Sequence, residues 1–399
     1  MPTRTTQIAF PATAVVALVL LLLPLIILAD DLQIPNDKTQ LTAWFGRTIK
    51  NYKLRRATLD PELVKAEDNL KIIKVSKSGG GDFKTVTDAV NSVPEGNAGR
   101  VIIWIGGGVY EEKIKIDRTK PFVTFYGSPD HMPMLSFDGT AAKYGTVDSA
   151  SLIVESHYFM MVNIIVINSS PKPDGKRKGA QAVALRISGD KAAFYNSKLI
   201  GFQDTLCDDR NRHFFKKCYI EGTVDFIFGS GKSIFLSTEV HAMGDGAMPT
   251  VITAHARNLE SEDTGYSFVH CTISGTGSTT FLGRAWMDRP KVVFSHTYMS
   301  SVVNPLGWSN NLHPDRDSMV FFGEYNCLGP GANMSRRAKF TKKLDFNGAK
   351  PYISLNYIRA SSWLLPPPNL SAHLLIFRVD FHDQESGCQQ CPQFPIVCM

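Results

Sequence analysis

Short apolar or alternating runs recur along this chain, and that recurrence limits its folds more than any other feature. They read VIIWI (101–105), FVTFY (122–126), FMMVNIIVI (159–167), AAFYNSKLI (192–200), HFFKKCYI (213–220), SIFLSTEV (233–240), YSFVHCTI (266–273) and KVVFSHTYM (291–299), with Gly, Asn, Asp and Pro clusters between them. Runs of this length bounded by turn residues predict strands. Several share an internal order of apolar residues, a small polar residue, then another apolar one. Taking Asn196, Cys218, Thr238, Cys271 and Thr297 as equivalent gives spacings of 22, 20, 33 and 26 residues. A loose repeat of that length is what a parallel β-helix produces, each coil laying short strands on the coil before it and loop insertions stretching some coils. An antiparallel β-sandwich of similar strand density is the alternative, and the want of clean two-residue hairpin turns counts against it. One short amphipathic helix is expected to cap the array: Val86, Ala89, Val90 and Val93 fall at i, i+3, i+4 and i+7, with Thr85 and Asp88 as a capping pair and Pro94 as a stop. The fold class is therefore all-β with a capping helix.

The ends of the chain read differently. Arg4 precedes AVVALVLLLLPLIILA (14–29), an apolar run broken by Pro24 and followed by Asp30 and Asp31. This predicts a secretory signal over residues 1–29, too short and interrupted for a membrane span. The mature protein is accordingly expected to be soluble and extracellular, off the membrane once the signal is cleaved. Residues 30–68 are polar and mixed, a leader or strap. Seven cysteines suit an oxidising compartment, although an odd number leaves one unpaired. N-x-S sequons occur at Asn168, Asn333 and Asn369. A formal net charge of +6 favours a polyanionic environment, and export makes an acidic polysaccharide a better candidate than nucleic acid.

The stretch GFQDTLCDDRNRHFFKKCYIEGTVDFIFG (201–229) holds Asp204 and, 21 positions on, Asp225 inside VDFIF. An ionised carboxylate among Val224, Phe226 and Phe228 needs a partner. In a β-helix with coils of this length the two aspartates stack one coil apart. Like charges at close range cannot both ionise comfortably, so one becomes an acid beside a base or nucleophile. FLGRAWMDRP offers Arg284 as the compensating cation, with Trp286 on the same strand face to meet a sugar ring. Gln181 in GAQAVAL and Gln203 beside Asp204 supply amide donors, each worth about 3 kcal/mol at a developing oxyanion. Two donors, a nucleophile and a proton donor describe acyl transfer. Taken singly, Asp204 reads as a turn residue, Gln181 and Gln203 as interior amides, Arg284 as a structural ion pair and Trp286 as core.

Other patterns carry less. GSGKS (229–233) lacks the glycine a phosphate loop needs. Asp208 and Asp209 with Arg210 and Arg212 read as a solvated loop near the cleft. Cys388 and Cys391 with His382 and Cys398 resemble a metal cluster only superficially. The insert SPKPDGKRKG (170–179) brings positive charge near Gln181.

At these residues the sequence resembles the plant pectin methylesterases. The matching segments are GGGVYEEK (106–113), YGTVDSAS (144–151), GAQAVAL (179–185), GFQDTL (201–206), GTVDFIFG (222–229) and LGRAWM (282–287), within residues 72–368. It looks closest to pollen-type members without an inhibitor-like helical pro-region. The resemblance implies a right-handed parallel β-helix over 69–368, with 369–399 as a C-terminal extension outside the family pattern. It also implies hydrolysis of methyl esters on homogalacturonan, with Asp225 as nucleophile and Asp204 as general acid and then base. Gln181 and Gln203 would stabilise the oxyanion, and Thr146, Gln181, Phe228, Arg284 and Trp286 would contact substrate. No metal or organic cofactor is implied; pectin is the expected partner, proteinaceous inhibitors are further ones, and the chain is expected to act as a monomer in the cell wall. A β-helical pectin depolymerase is the rival enzyme, but its NTD and RIK motifs do not occur here. A silent wall-binding protein is the third reading.

Overall fold

Strand stacking organises the chain into three parallel sheets, as a computed structural model describing residues 32–246 and 249–370 shows. One sheet has eleven strands and runs from Lys71–Val75 to Thr341–Lys343; the other two have eight strands each. Successive strands visit the three sheets in turn, so each pairs with the strand three elements later, one coil on. This is the parallel β-helix expected, and it excludes the sandwich. The chain divides into two units, residues 1–365 and 366–399, and every strand of the three sheets belongs to the first. The apolar run at 14–29 and Cys388, Cys391, Cys398 and His382 lie outside the described residues.

In-register stacking puts like residues above one another at the strand spacing. Phe194, Phe215, Phe235, Phe268 and Phe294 form one such column inside the helix, with ring centroids 4.5, 4.6, 4.4 and 4.4 Å apart. From Met160–Val162 to Phe321–Tyr325, each coil leaves the eleven-stranded sheet through a residue with left-handed backbone: Asn163, Asn196, Lys217, Ser237, His270, His296 and Asn326, all with φ between 46° and 57°. The repeat read from sequence is therefore out of register by one at its first member. Asn196 occupies the left-handed corner, and Ser197 is the true equivalent of Cys218, Thr238, Cys271 and Thr297, as the pairs Tyr195↔Lys216, Lys216↔Leu236, Leu236↔Val269 and Val269↔Ser295 require.

The capping helix forms as Val86–Asn91. Thr85 Oγ1 accepts from Asp88 N at 3.1 Å, and the Glu112 carboxylate takes the free N–H groups of Val86 and Thr87 at 3.0 and 2.8 Å. The strap is more ordered than its composition suggests. It holds helices Leu41–Thr48 and Pro61–Asp68, whose Leu41, Trp44, Phe45, Leu63 and Ala66 are buried against the outer side of the eleven-stranded sheet together with Ile353, Leu355, Ile358 and Trp363.

Candidate active site

Coil register brings the two aspartates together. Strand Leu206–Asp208 pairs with Ile227–Gly229 through Leu206↔Ile227, the same 21-residue offset that separates Asp204 from Asp225. Asp204 N donates to Val224 O at 3.1 Å, so the stacking continues into the turns that precede the strands. Both aspartates have left-handed backbone, with φ 69° and 51°, a conformation Asp tolerates better than most residues. Both are nearly covered, at 7% and 6% exposure. The apolar collar expected around Asp225 splits across the sheet: Phe226 points into the core, whereas Phe228 packs outside against Ala150, Ile153, Val183 and Cys207.

The two carboxyl groups have unequal surroundings. Arg284 ends strand Phe281–Arg284, two coils on. Its Nε donates to Asp225 Oδ1 at 2.7 Å and its Nη2 to Asp225 Oδ2, a two-point grip. Burial pushes the Asp225 carboxyl up and Arg284 pulls it back. Burial and the charge of Asp225 push Asp204 well above the usual range, and Arg284 offsets this less. Both carboxyls are raised, and Asp204 the further, so Asp204 is the member that holds its proton more strongly.

Trp286 reaches the same place by a different route from the one expected. It lies beyond the strand, where its N–H turns back to Arg284 O at 2.9 Å, and its ring sits 4.8 Å from the guanidinium with 45% of the residue exposed. Gln181 and Gln203 are half-buried in the turns before their strands, and neither carboxamide is engaged by another described residue. Ala182 N donates to Gln203 O at 3.1 Å, which stacks the two turns. Thr146 is half-buried on the loop before Leu152–Val154, and its carbonyl accepts from Ser149 Oγ at 2.6 Å.

The comparisons with known proteins agree on the family and the fold. The family model described as Pectinesterase matches residues 72–361. Pectinesterase 1 of Olea europaea is 56% identical over 355 residues, covering 89% of this chain and 96% of its own. The chain belongs to the pectinesterase family. Among solved structures, a pectin methylesterase from carrot is 29% identical with a TM-score of 0.66, covering 70% of this chain and 90% of its own. A pectin methylesterase in complex with a hexasaccharide is 25% identical with a TM-score of 0.61, covering 74% and 98%. The enzyme is a pectinesterase and its reaction is the de-esterification of pectin.

Around the pectinesterase site, one reading from sequence needs correction. Asp208 is not in a solvated loop. It is a fully buried strand residue whose carboxylate accepts from His213 Nδ1 and, at 2.5 Å, from Ser233 Oγ. His213 Nε2 lies 3.0 Å from Gly189 O. A Cβ on Gly231 would collide with this carboxylate, which is why the GSGKS stretch needs glycine there. Asp209 pairs with Arg186 and Arg212 with Asp190, leaving Arg210 the exposed member of the group. An apolar flank on one side only hides such a residue: Asp208 follows Thr205, Leu206 and Cys207 but precedes Asp209, so the sequence looks polar where the strand ends.

Two further features bear on the enzyme's surface and interior. Asn168 is buried, with Nδ2 donating to the carbonyls of Gly139, Ser149 and Val183, so this sequon is not an accessible acceptor in the folded chain. Asn333 is exposed. Cys207, Cys218, Cys271 and Cys327 are free thiols. Cys218, Cys271 and Cys327 stand two coils apart in one column, about 10 Å at the strand spacing, beyond disulfide reach. Burial pushes all three thiols up to about 12.

Proposed function

We propose that the enzyme hydrolyses the methyl esters of homogalacturonan through an aspartyl acyl-enzyme. The observation that carries this reading is the asymmetry of the stacked pair: Asp225 gripped at two points by Arg284, and Asp204 beside it without such a partner. Asp225 attacks the C6 carbonyl of a methylated galacturonate. The Gln181 and Gln203 carboxamides donate to the oxyanion, and Asp204 gives its proton to the departing methanol. An anhydride then links Asp225 to C6. Asp204, now ionised, takes a proton from water as the water attacks C6, and Asp225 leaves as a carboxylate. Thr146, Phe228 and Trp286 line the approach for the sugar rings. These steps call for side chains alone.

On the same reading residues 1–29 direct export and are removed, 30–68 strap the β-helix, 69–368 form the catalytic domain, and 369–399 extend from it. Action on pectin places the enzyme's work in the cell wall, and no helix among the described residues is long and apolar enough to cross a membrane. Asn333 is the exposed glycan acceptor within the β-helix, the protein works as a monomer, and wall-resident inhibitors are its protein partners.

The test is Asp225→Asn in the purified chain, with methanol release from highly methylated pectin and solution viscosity followed together. The parent releases methanol without a collapse in viscosity, and the variant loses activity on the order of 10³-fold or more. Acid-quenched enzyme should carry a galacturonoyl adduct on the peptide containing Asp225. Turnover retained in the variant overturns the reading.

A further inference from the structure

The guanidinium that holds Asp225 is itself held, by a residue from the next coil. Arg284 has a third arm, and its Nη1 donates to Asn311 Oδ1 at 2.8 Å. A guanidinium only donates, so the carbonyl side of the Asn311 amide must face it. Asn311 sits just past strand Trp308–Ser309, which pairs with the strand carrying Arg284 through Arg284↔Ser309. The loop that follows is anchored on several sides. Asn311 N donates to Ser309 Oγ at 3.1 Å, and Asn310 Nδ2 donates to Asp317 Oδ1 at 2.9 Å. Arg316 Nη1 returns to the carbonyls of Ala285 and Trp286 at 2.7 and 3.0 Å. One loop therefore grips the side chain of Arg284 and the backbone of the two residues after it.

Its backbone is also unusual. Asn311 and Leu312 are both left-handed, with φ 59° and 62°, and Leu312 is 95% exposed, so nothing apolar repays its strain. The conformation is maintained by the polar anchors, and its result is to present the Asn311 carbonyl to Arg284.

We infer that Asn311 is a positioning residue for ester hydrolysis, fixing the rotamer in which Arg284 meets both oxygens of Asp225. The inference rests on Asp225 being the nucleophile. With Nη1 tethered, rotation about the end of the Arg284 side chain breaks a third bond as well as the two to Asp225. Without the tether the guanidinium is free to trade Asp225 for water or for a uronate carboxylate of the substrate. Asn311 acts through Arg284 and has no role in binding the reacting ester.

Two substitutions separate the side chain from the backbone. Asn311→Gly keeps the left-handed conformation at ease and removes the acceptor; Asn311→Asp keeps an acceptor of the same shape at a residue that tolerates this backbone. Steady-state methanol release by the full chain should show kcat about tenfold lower in Asn311→Gly with KM changed by less than about twofold, the size expected for loss of one charge-assisted hydrogen bond. Asn311→Asp should recover most of that kcat. Parental kcat in Asn311→Gly overturns the inference, and so does an Asn311→Asp enzyme as slow as Asn311→Gly. Asp225→Asn, assayed alongside, keeps the two claims apart. If it is inactive while Asn311→Gly is not impaired, only the positioning role fails; if it is active, the nucleophile assignment fails first.

Discussion

Replacing Arg284 by lysine keeps the charge and removes the fork, which isolates what the two-point grip contributes. Asp225 is 6% exposed, and Arg284 meets it with two parallel N–H groups while a third reaches Asn311. Lysine offers a point charge on a flexible stem and cannot make the parallel pair. Losing one charge-assisted hydrogen bond to a nearly buried carboxylate removes about 1.5–3 kcal/mol, or roughly 10- to 100-fold in kcat/KM if the grip is needed in the transition state. The pH profile should move as well, and its sign is determined. Burial raises the Asp225 carboxyl and Arg284 lowers it, so weakening Arg284 leaves burial less opposed. On the proposed mechanism Asp225 must be ionised to attack, hence the acid limb of kcat/KM should shift to higher pH. The assay is methanol release from highly methylated pectin across the acidic range, with a folded variant verified by an unchanged thermal transition. A folded Arg284→Lys enzyme with parental kcat/KM and an unmoved acid limb would refute the claim that the fork holds the nucleophile ionised.

Asp204→Asn should abolish turnover while flattening the pH dependence of stability. Its folded-state carboxyl lies well above the unfolded value near 3.8, so the contribution of the protonated form is present at low pH and lost as pH rises through the folded value. Denaturant midpoints measured against pH should therefore fall less steeply in the variant than in the parent as pH rises from the unfolded value toward the raised folded one. Asp208→Ala should destabilise the fold by about 3–5 kcal/mol, because it strands the buried His213 ring and Ser233 hydroxyl. Its residual folded fraction should keep the parental KM, since the carboxylate is fully buried and makes no part of the substrate approach.

How much of this was legible before the structure depended on which distances are written along the chain. In a parallel β-helix the offset between stacked residues equals the coil length, so Asp204 and Asp225 could be paired from spacing alone, and the register confirms the pairing. The helix Val86–Asn91 was legible for a similar reason, its apolar spacing and capping pair being local. The repeat slipped by one at Asn196 because a left-handed corner and the inward residue after it are both small and polar there, as Asn196 and Ser197. The helices of the strap were under-read although Leu41, Trp44 and Phe45 have helical spacing, since eight residues give a weak periodic signal. Asn311 was invisible: it meets Arg284 from 27 positions on in the chain, through a loop whose path no local pattern encodes. Asp208 was misread because its partners, His213 and Ser233, come from strands of another sheet.

Loop length distinguishes the corner of the coil that carries Asp204 and Asp225. The turns that carry the aspartates are short, occupying only residues 201–205 and 223–226 between their flanking strands. The equivalent connections on the two preceding coils run over residues 138–151 and 169–184, and on the following coil over 244–250. The two stacked aspartates therefore sit in short turns flanked along the helix by longer loops. The insert at 170–179 belongs to one of the longer loops, and its Lys172 meets Asp245 of another at 2.7 Å. Among the described residues, Arg284 is the cation that meets the Asp225 carboxylate, and it does so from two coils on, while both aspartates are nearly covered.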